Sequence, residues 1–102
     1  MKQRIEKLTA QERLIAELIA LCNNHFAGTT NKELAEKVGT SAANICRDLA
    51  VFEKFELADR DNNGRWRMSP KFAGFAGQIA KSYKTARLEL SRDEERYMTA
   101  MQ

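Results

Sequence analysis

The chain has 102 residues, of which 30% are charged, and a formal net charge of +3. That length fits one domain with an appended helix, and it supports a modest core without staples. No apolar run approaches the roughly 20 residues that span a bilayer, and the N-terminus lacks an apolar signal core. A protein of a reducing cytoplasm, without a membrane partner, is therefore expected.

The first helix is announced by Thr9-Ala-Gln-Glu12, a capping box in which Thr9 and Glu12 satisfy each other's orphan backbone donors. Leu14, Ile15, Leu18, Ile19 and Cys22 follow on a broad apolar face, wide enough to be buried against two neighbours. His25-Phe-Ala-Gly28 ends the helix and opens a short loop. A second box, Thr30-Asn-Lys-Glu33, starts helix two near Asn31. Its buried face is Leu34, Ala35 and Val38. Gly39 stops it where the chain must turn sharply, at no Cβ cost.

Helix three starts at Thr40 or Ser41 and runs to about Phe55. At about 100° per residue, Ile45, Leu49 and Phe52 fall within a narrow arc and face the core. Thr40, Ala43, Asn44, Arg47, Val51 and Lys54 fall on the opposite side. Small residues there allow close approach to a groove floor. Asn pairs two-fold with adenine and Arg two-fold with guanine. An ordinary solvated face is the plainer reading, but such a face usually carries more Lys and Glu.

Glu56-Leu-Ala-Asp-Arg60, Asp61-Asn-Asn-Gly64 and Arg65-Trp-Arg-Met-Ser69 read as a hairpin, or wing, over about 57–69. Asn63-Gly64 is the turn cue, because tight turns need positive φ. Leu57, Trp66 and Met68 fit a half-buried ribbon by period two. Trp66 is more simply a core residue than a base-stacking one. Arg65 and Arg67 alternate with the apolar pair and should face out, towards phosphates or as guards of a sheet edge. Four basic residues (Arg60, Arg65, Arg67, Lys71) stand against one acid, Asp61, between Arg60 and Lys71. Such a local stripe is the electrostatic footprint of nucleic-acid binding.

Ser69-Pro70 starts a last helix, with Ser as cap and Pro at the first helical position. Phe72, Phe75, Ala76, Ile79, Tyr83, Ala86, Leu90, Tyr97 and Met101 then fall within about 60° of one line. Ser91-Arg-Asp-Glu94 is a third capping-box pattern, so a break near Leu90 and a restart are expected. The stripe either packs on helix one or forms a dimer seam. The second is favoured beyond Tyr83, where little domain remains to cover. The expected organisation is a DNA-binding domain over 1–72 and a helical, dimerising extension over 73–102.

Cys22 and Cys46 are expected as buried free thiols. Cys22-Asn-Asn-His25 has a ligand-like spacing, but no second pair completes four ligands, so no zinc is expected. No Gly-rich phosphate loop, nucleophile motif or carboxylate cluster appears, so neither enzyme activity nor a cofactor is expected.

Residues from about Glu12 to Phe72 resemble the winged helix-turn-helix domain of IclR-type bacterial transcription regulators. The resemblance rests on Leu34-Ala-Glu-Lys-Val-Gly39, Ile45-Cys-Arg-Asp-Leu49, Glu53-Lys-Phe-Glu-Leu57 and Gly64-Arg-Trp-Arg-Met-Ser69. It implies a mostly α fold with a small β-wing, and a recognition helix at about 41–54 lying in the major groove. It implies DNA contacts for Arg47, and by position for Thr40, Ser41, Ala43 and Asn44. Thr30, Asn31, Arg60, Arg65, Arg67 and Lys71 complete the expected DNA-binding set. The chain departs from the family in carrying Glu56 where Gly usually precedes the wing. Ala42 and Ala43 also replace longer polar residues, which shifts specificity towards DNA shape. No effector domain is expected in 102 residues, so the chain is expected to resemble the short, DNA-binding-only proteins of phages and prophages. The expected function is a homodimeric, sequence-specific regulator binding double-stranded DNA. The alternative is a winged-helix protein-interaction module without DNA binding.

Overall fold

The structure is a computed structural model, and it describes residues 7–102. It is mostly helical, with a two-stranded antiparallel sheet and a long C-terminal helix. The order is α1 (Ala10–Asn23), α2 (Asn31–Val38), α3 (Ala42–Lys54), β1 (Ala58–Arg60), β2 (Trp66–Met68) and α4 (Pro70–Ala100). The described residues fall into two units, one ending at Phe72 and the other spanning Ala73–Gln102.

The helix starts are where the local chemistry puts them. Thr9 Oγ1 accepts from the Glu12 N–H at 3.2 Å, and Glu12 Oε1 accepts from the Thr9 N–H at 2.9 Å. Thr30 and Glu33 repeat the exchange at 3.1 Å each way. Ser41 Oγ caps α3 by accepting from the Asn44 N–H. Each such cap stabilises by about 1 kcal/mol. Gly39 ends α2 with φ +79°, and its N–H donates to the Ala35 carbonyl.

Leu21, Leu34, Ile45, Leu49, Phe52, Ala58, Trp66 and Met68 make one core between the three short helices and the hairpin. α3 buries the face expected of it. α1 does not: Glu17 and Leu21 are its buried residues, while Ile15, Ile19 and Cys22 are exposed. Cys46 is exposed too, so neither cysteine is the buried thiol expected. On α1 the cause is rotation. Leu14, Leu18 and Leu21 are also apolar, and the helix turns that side inward, which buries Glu17 with them.

The strands are shorter than expected and pair Ala58 with Met68, Asp59 with Arg67, and Arg60 with Trp66. The connection is a turn closed by Gly64 N–H to the Asp61 carbonyl, with only Gly64 at positive φ (+75°). Asp61 Oδ1 accepts from the N–H groups of Asn63 and Arg65. The backbone N–H of Arg65 leads the causes that hold the Asp61 carboxyl below its ordinary range. Thr29, fully buried, exchanges both backbone bonds with Trp66 and adds one rung beyond the two strands.

Glu56, just before β1, has φ +61° and is the one described non-glycine residue in the left-handed region. Ser69 Oγ donates to its carbonyl, and the flanking Leu57 N–H donates to Phe52. This is the position where the resembled family carries Gly. An L-residue there costs about 1–2 kcal/mol. The Glu56 carboxylate meets Lys71 only at 3.7 Å, in an exposed pair worth little. Glu56→Gly is therefore expected to raise stability by about 1 kcal/mol, or about 4–8 °C in Tm. A lower Tm by circular dichroism would show that the turn is not strained.

α4 is continuous from Pro70 to Ala100, so the expected restart at Ser91 does not occur. The capping pattern there is overridden because the backbone donors keep their helical partners. Asp93 instead pairs with Arg96 one turn on, at 3.0 Å. The start is as expected: Ser69 Oγ accepts from the Phe72 N–H.

Candidate nucleic-acid interface

α3 follows α2 after only Gly39, Thr40 and Ser41, because the left-handed Gly39 reverses the chain without a longer loop. Its inner face is fixed by Ile45, Leu49 and Phe52. Its outer face is thereby fixed as well. Ala43 and Arg47 are exposed and Asn44 is half-buried. Asn44 Nδ2 donates to Thr40 Oγ1 at 3.0 Å, and the Arg47 guanidinium donates to Asn44 Oδ1. Thr40, Ser41, Asn44 and Arg47 thus form one connected polar strip. A hydrogen-bonded amide holds the guanidinium in position, which lowers the entropy lost when it meets an acceptor.

A cleft of about 470 Å³ opens beside this strip, lined by Lys7, Leu8, Arg13, Val38, Gly39, Thr40, Ser41 and Asn44. Two of its residues are cations, Lys7 and Arg13, and neither was expected at the site. The only sequence signal for Arg13 is its place in the first turn of α1.

A second group explains how α3 is held. Asp48, next to Arg47 but on the inner face, receives two bonds from Arg13: Nε to Oδ2 at 2.7 Å and Nη2 to Oδ1 at 3.0 Å. Burial works against ionisation of Asp48, but the hydrogen bonds from Arg13 and Glu17 prevail and hold its carboxyl below the ordinary range. Glu17 is fully buried, and neither oxygen has a partner that donates to it. Burial first, and the neighbouring Asp48 second, push its carboxyl up to about 9. At neutral pH Glu17 is therefore protonated beside the ionised Asp48. The signal for this cluster was present, as two acids set among the apolar positions of α1 and α3.

The remaining expected contacts divide. Thr30 is occupied in capping α2. Asn31 Oδ1 accepts from Trp66 Nε1 at 2.9 Å, and its Nδ2 approaches Cys46 Sγ at 3.5 Å, so it ties α2 to the hairpin and to α3. Trp66 is a core residue, as the plainer reading had it. Arg65 does not face out. Its guanidinium donates to the carbonyls of Ala27 and Gly28 and to Glu33 Oε1 at 2.8 Å. Gly28 permits this approach: at φ +82°, an added Cβ would lie 2.9 Å from Arg65 Cβ. Arg60 stacks over the Trp66 ring at 5.3 Å and Arg67 over the exposed Phe26 ring at 5.7 Å. Lys71 Nζ donates to the Phe55 carbonyl at 3.3 Å. Arg60 and Lys71 are exposed, and Arg67 and Arg65 are both half-buried; what sets Arg65 apart is the engagement of its guanidinium by Glu33 and two carbonyls.

Among the described residues no cluster of His, Cys, Asp and Glu could hold a metal ion, and no helix is long and apolar enough to cross a membrane. Compared with models of known protein families and with curated proteins, the chain matches none.

Proposed function

We propose that the protein is a winged helix-turn-helix, non-enzymatic regulator that binds duplex DNA through the outer face of α3. The observation that carries this reading is the strip Thr40, Ser41, Asn44 and Arg47. It is free of acids, hydrogen-bonded in advance and set at the start of an exposed helix. Lys7 beside it supplies positive charge where a phosphate would flank the groove, while Arg13 is engaged by Asp48. The left-handed backbone at Glu56, where the resembled family usually carries Gly, also favours the resemblance to the IclR-type domain.

In this reading Arg47 reads bases, while Arg60, Arg67 and Lys71 anchor on phosphates. Arg65 leaves the anchoring set, since its guanidinium holds the hairpin to α2. Selection of bound sequences from a random duplex pool tests the division. Arg47→Ala is expected to cost about 1–3 kcal/mol on the preferred site and to relax specificity. Arg67→Ala is expected to weaken all sequences alike and to reduce the salt slope by about one. An unchanged preference in Arg47→Ala would remove α3 as the reader.

A second reading, a protein-interaction module, is favoured by the far end of α3, where Val51 and Phe55 are exposed. It ranks below the first because the near end is polar and cationic. Binding that persists at high salt, with no duplex bound at low salt, would reverse that order.

A further inference from the structure

α4 contains a symmetry of its own. Ile79, Tyr83, Leu90, Tyr97 and Met101 lie eleven and seven residues to either side of Leu90. At about 100° per residue these five fall within about 40° of one line. Each is at least 63% exposed. The spacing reads the same in both directions, which is what an isologous two-fold contact requires, since residue i must meet j while j meets i.

We propose that α4 pairs antiparallel with α4 of a second copy of this chain, about a two-fold axis at Leu90. Ile79 then faces Met101 of the other copy, Tyr83 faces Tyr97, and Leu90 faces itself. The stripe so covered is about 33 Å long at 1.5 Å per residue. Of the two acids that interrupt it, Asp93 and Glu94, the one nearer the line gains a partner by the same symmetry. Glu94 lies four residues after Leu90 on one flank, and Arg87 lies three residues before it on that flank. Antiparallel pairing brings Arg87 of each copy beside Glu94 of the other, twice per dimer. Net charge along the helix agrees: Lys81, Lys84 and Arg87 outweigh Glu89 before the centre, and Asp93, Glu94 and Glu95 outweigh Arg92 and Arg96 after it. A parallel pair would set like charges side by side.

The pairing goes beyond the DNA reading and does not depend on it, so it is tested without DNA on the full chain. Light scattering at tens of micromolar is expected to give twice the chain mass. Arg87→Glu is expected to weaken the dimer about tenfold, and Arg87→Glu with Glu94→Arg to restore it. Orientation is read by disulfides in a chain with Cys22→Ser and Cys46→Ser. Leu90→Cys should cross-link to itself under mild oxidation. Tyr83→Cys and Tyr97→Cys should cross-link only when the two are mixed. Ile15→Asp with Ile19→Asp, on the exposed side of α1, should leave the mass unchanged. A monomer would overturn the proposal. So would self-cross-linking of Tyr83→Cys, or a dimer lost with the α1 changes and kept with Arg87→Glu.

Discussion

Asp48→Ala is expected to destabilise the N-terminal unit by about 3 kcal/mol, the magnitude found when one partner of a buried ion pair is removed. Asp48 is 5% exposed and takes both arms of the Arg13 fork. Its loss leaves the half-buried Arg13 guanidinium without its bidentate partner. The gain in helix propensity from Ala is only a few tenths of a kcal/mol and does not offset this. Thermal unfolding should show Tm lower by more than about 10 °C. A loss near zero would mean that water solvates the fork, and that α3 is held by its apolar face alone.

The second large effect is a dependence on pH with an unusual sign. The Glu17 carboxyl is raised from its ordinary 4.5 to about 9 in the folded protein. A raised folded value gives stability that is full below the unfolded value and is lost as pH rises through the folded one. Between about 4.5 and 9 the unfolded chain gives up this proton while the folded chain keeps it. Stability therefore falls with pH, by at most about 1.4 kcal/mol per unit. Asp48 acts in a separate window: its lowered carboxyl costs stability only as pH falls through the acid range below 3.8. Glu17→Gln keeps a donor towards Asp48 without the titration. It is expected to flatten the profile from pH 5 to 8 and to be more stable than the natural chain by about 2 kcal/mol at pH 8. Urea unfolding at several pH values measures both. A flat profile in the natural chain, or a less stable Gln variant at pH 8, would show that Glu17 is ionised and solvated.

These two residues also mark where sequence reasoning stopped. The caps at Thr9, Thr30 and Ser41, the reversal at Gly39 and the phase of α3 were legible, because each is decided within four residues of itself. The phase of α1 was not. Leu14, Leu18 and Leu21 compete with Ile15, Ile19 and Cys22 on apolar grounds alone, and Asp48, 31 residues beyond Glu17, decides between them. Arg65 was misplaced for the same reason. Period two aims it outward, but Glu33 and the carbonyls of Ala27 and Gly28, more than 30 residues earlier, hold it in. At Ser91 the capping pattern predicts a restart that does not occur, because the helix continues through it. Of the candidate site, the strip on α3 was legible as a face; its internal hydrogen bonds and the neighbouring cations Lys7 and Arg13 were not.

The most direct measurement is the affinity of the full chain for duplex DNA as a function of salt, with the natural protein and Arg47→Ala compared on one selected sequence. Binding through α3 and the hairpin cations predicts that log K falls linearly with log salt, with a slope of about −2 to −4 for a handful of phosphate contacts. Arg47→Ala should bind that sequence about 5–150-fold more weakly while losing at most about one unit of slope. No binding to any duplex at low salt, or equal affinity of the two proteins on the selected sequence, would contradict the assignment of α3 as the DNA-reading helix.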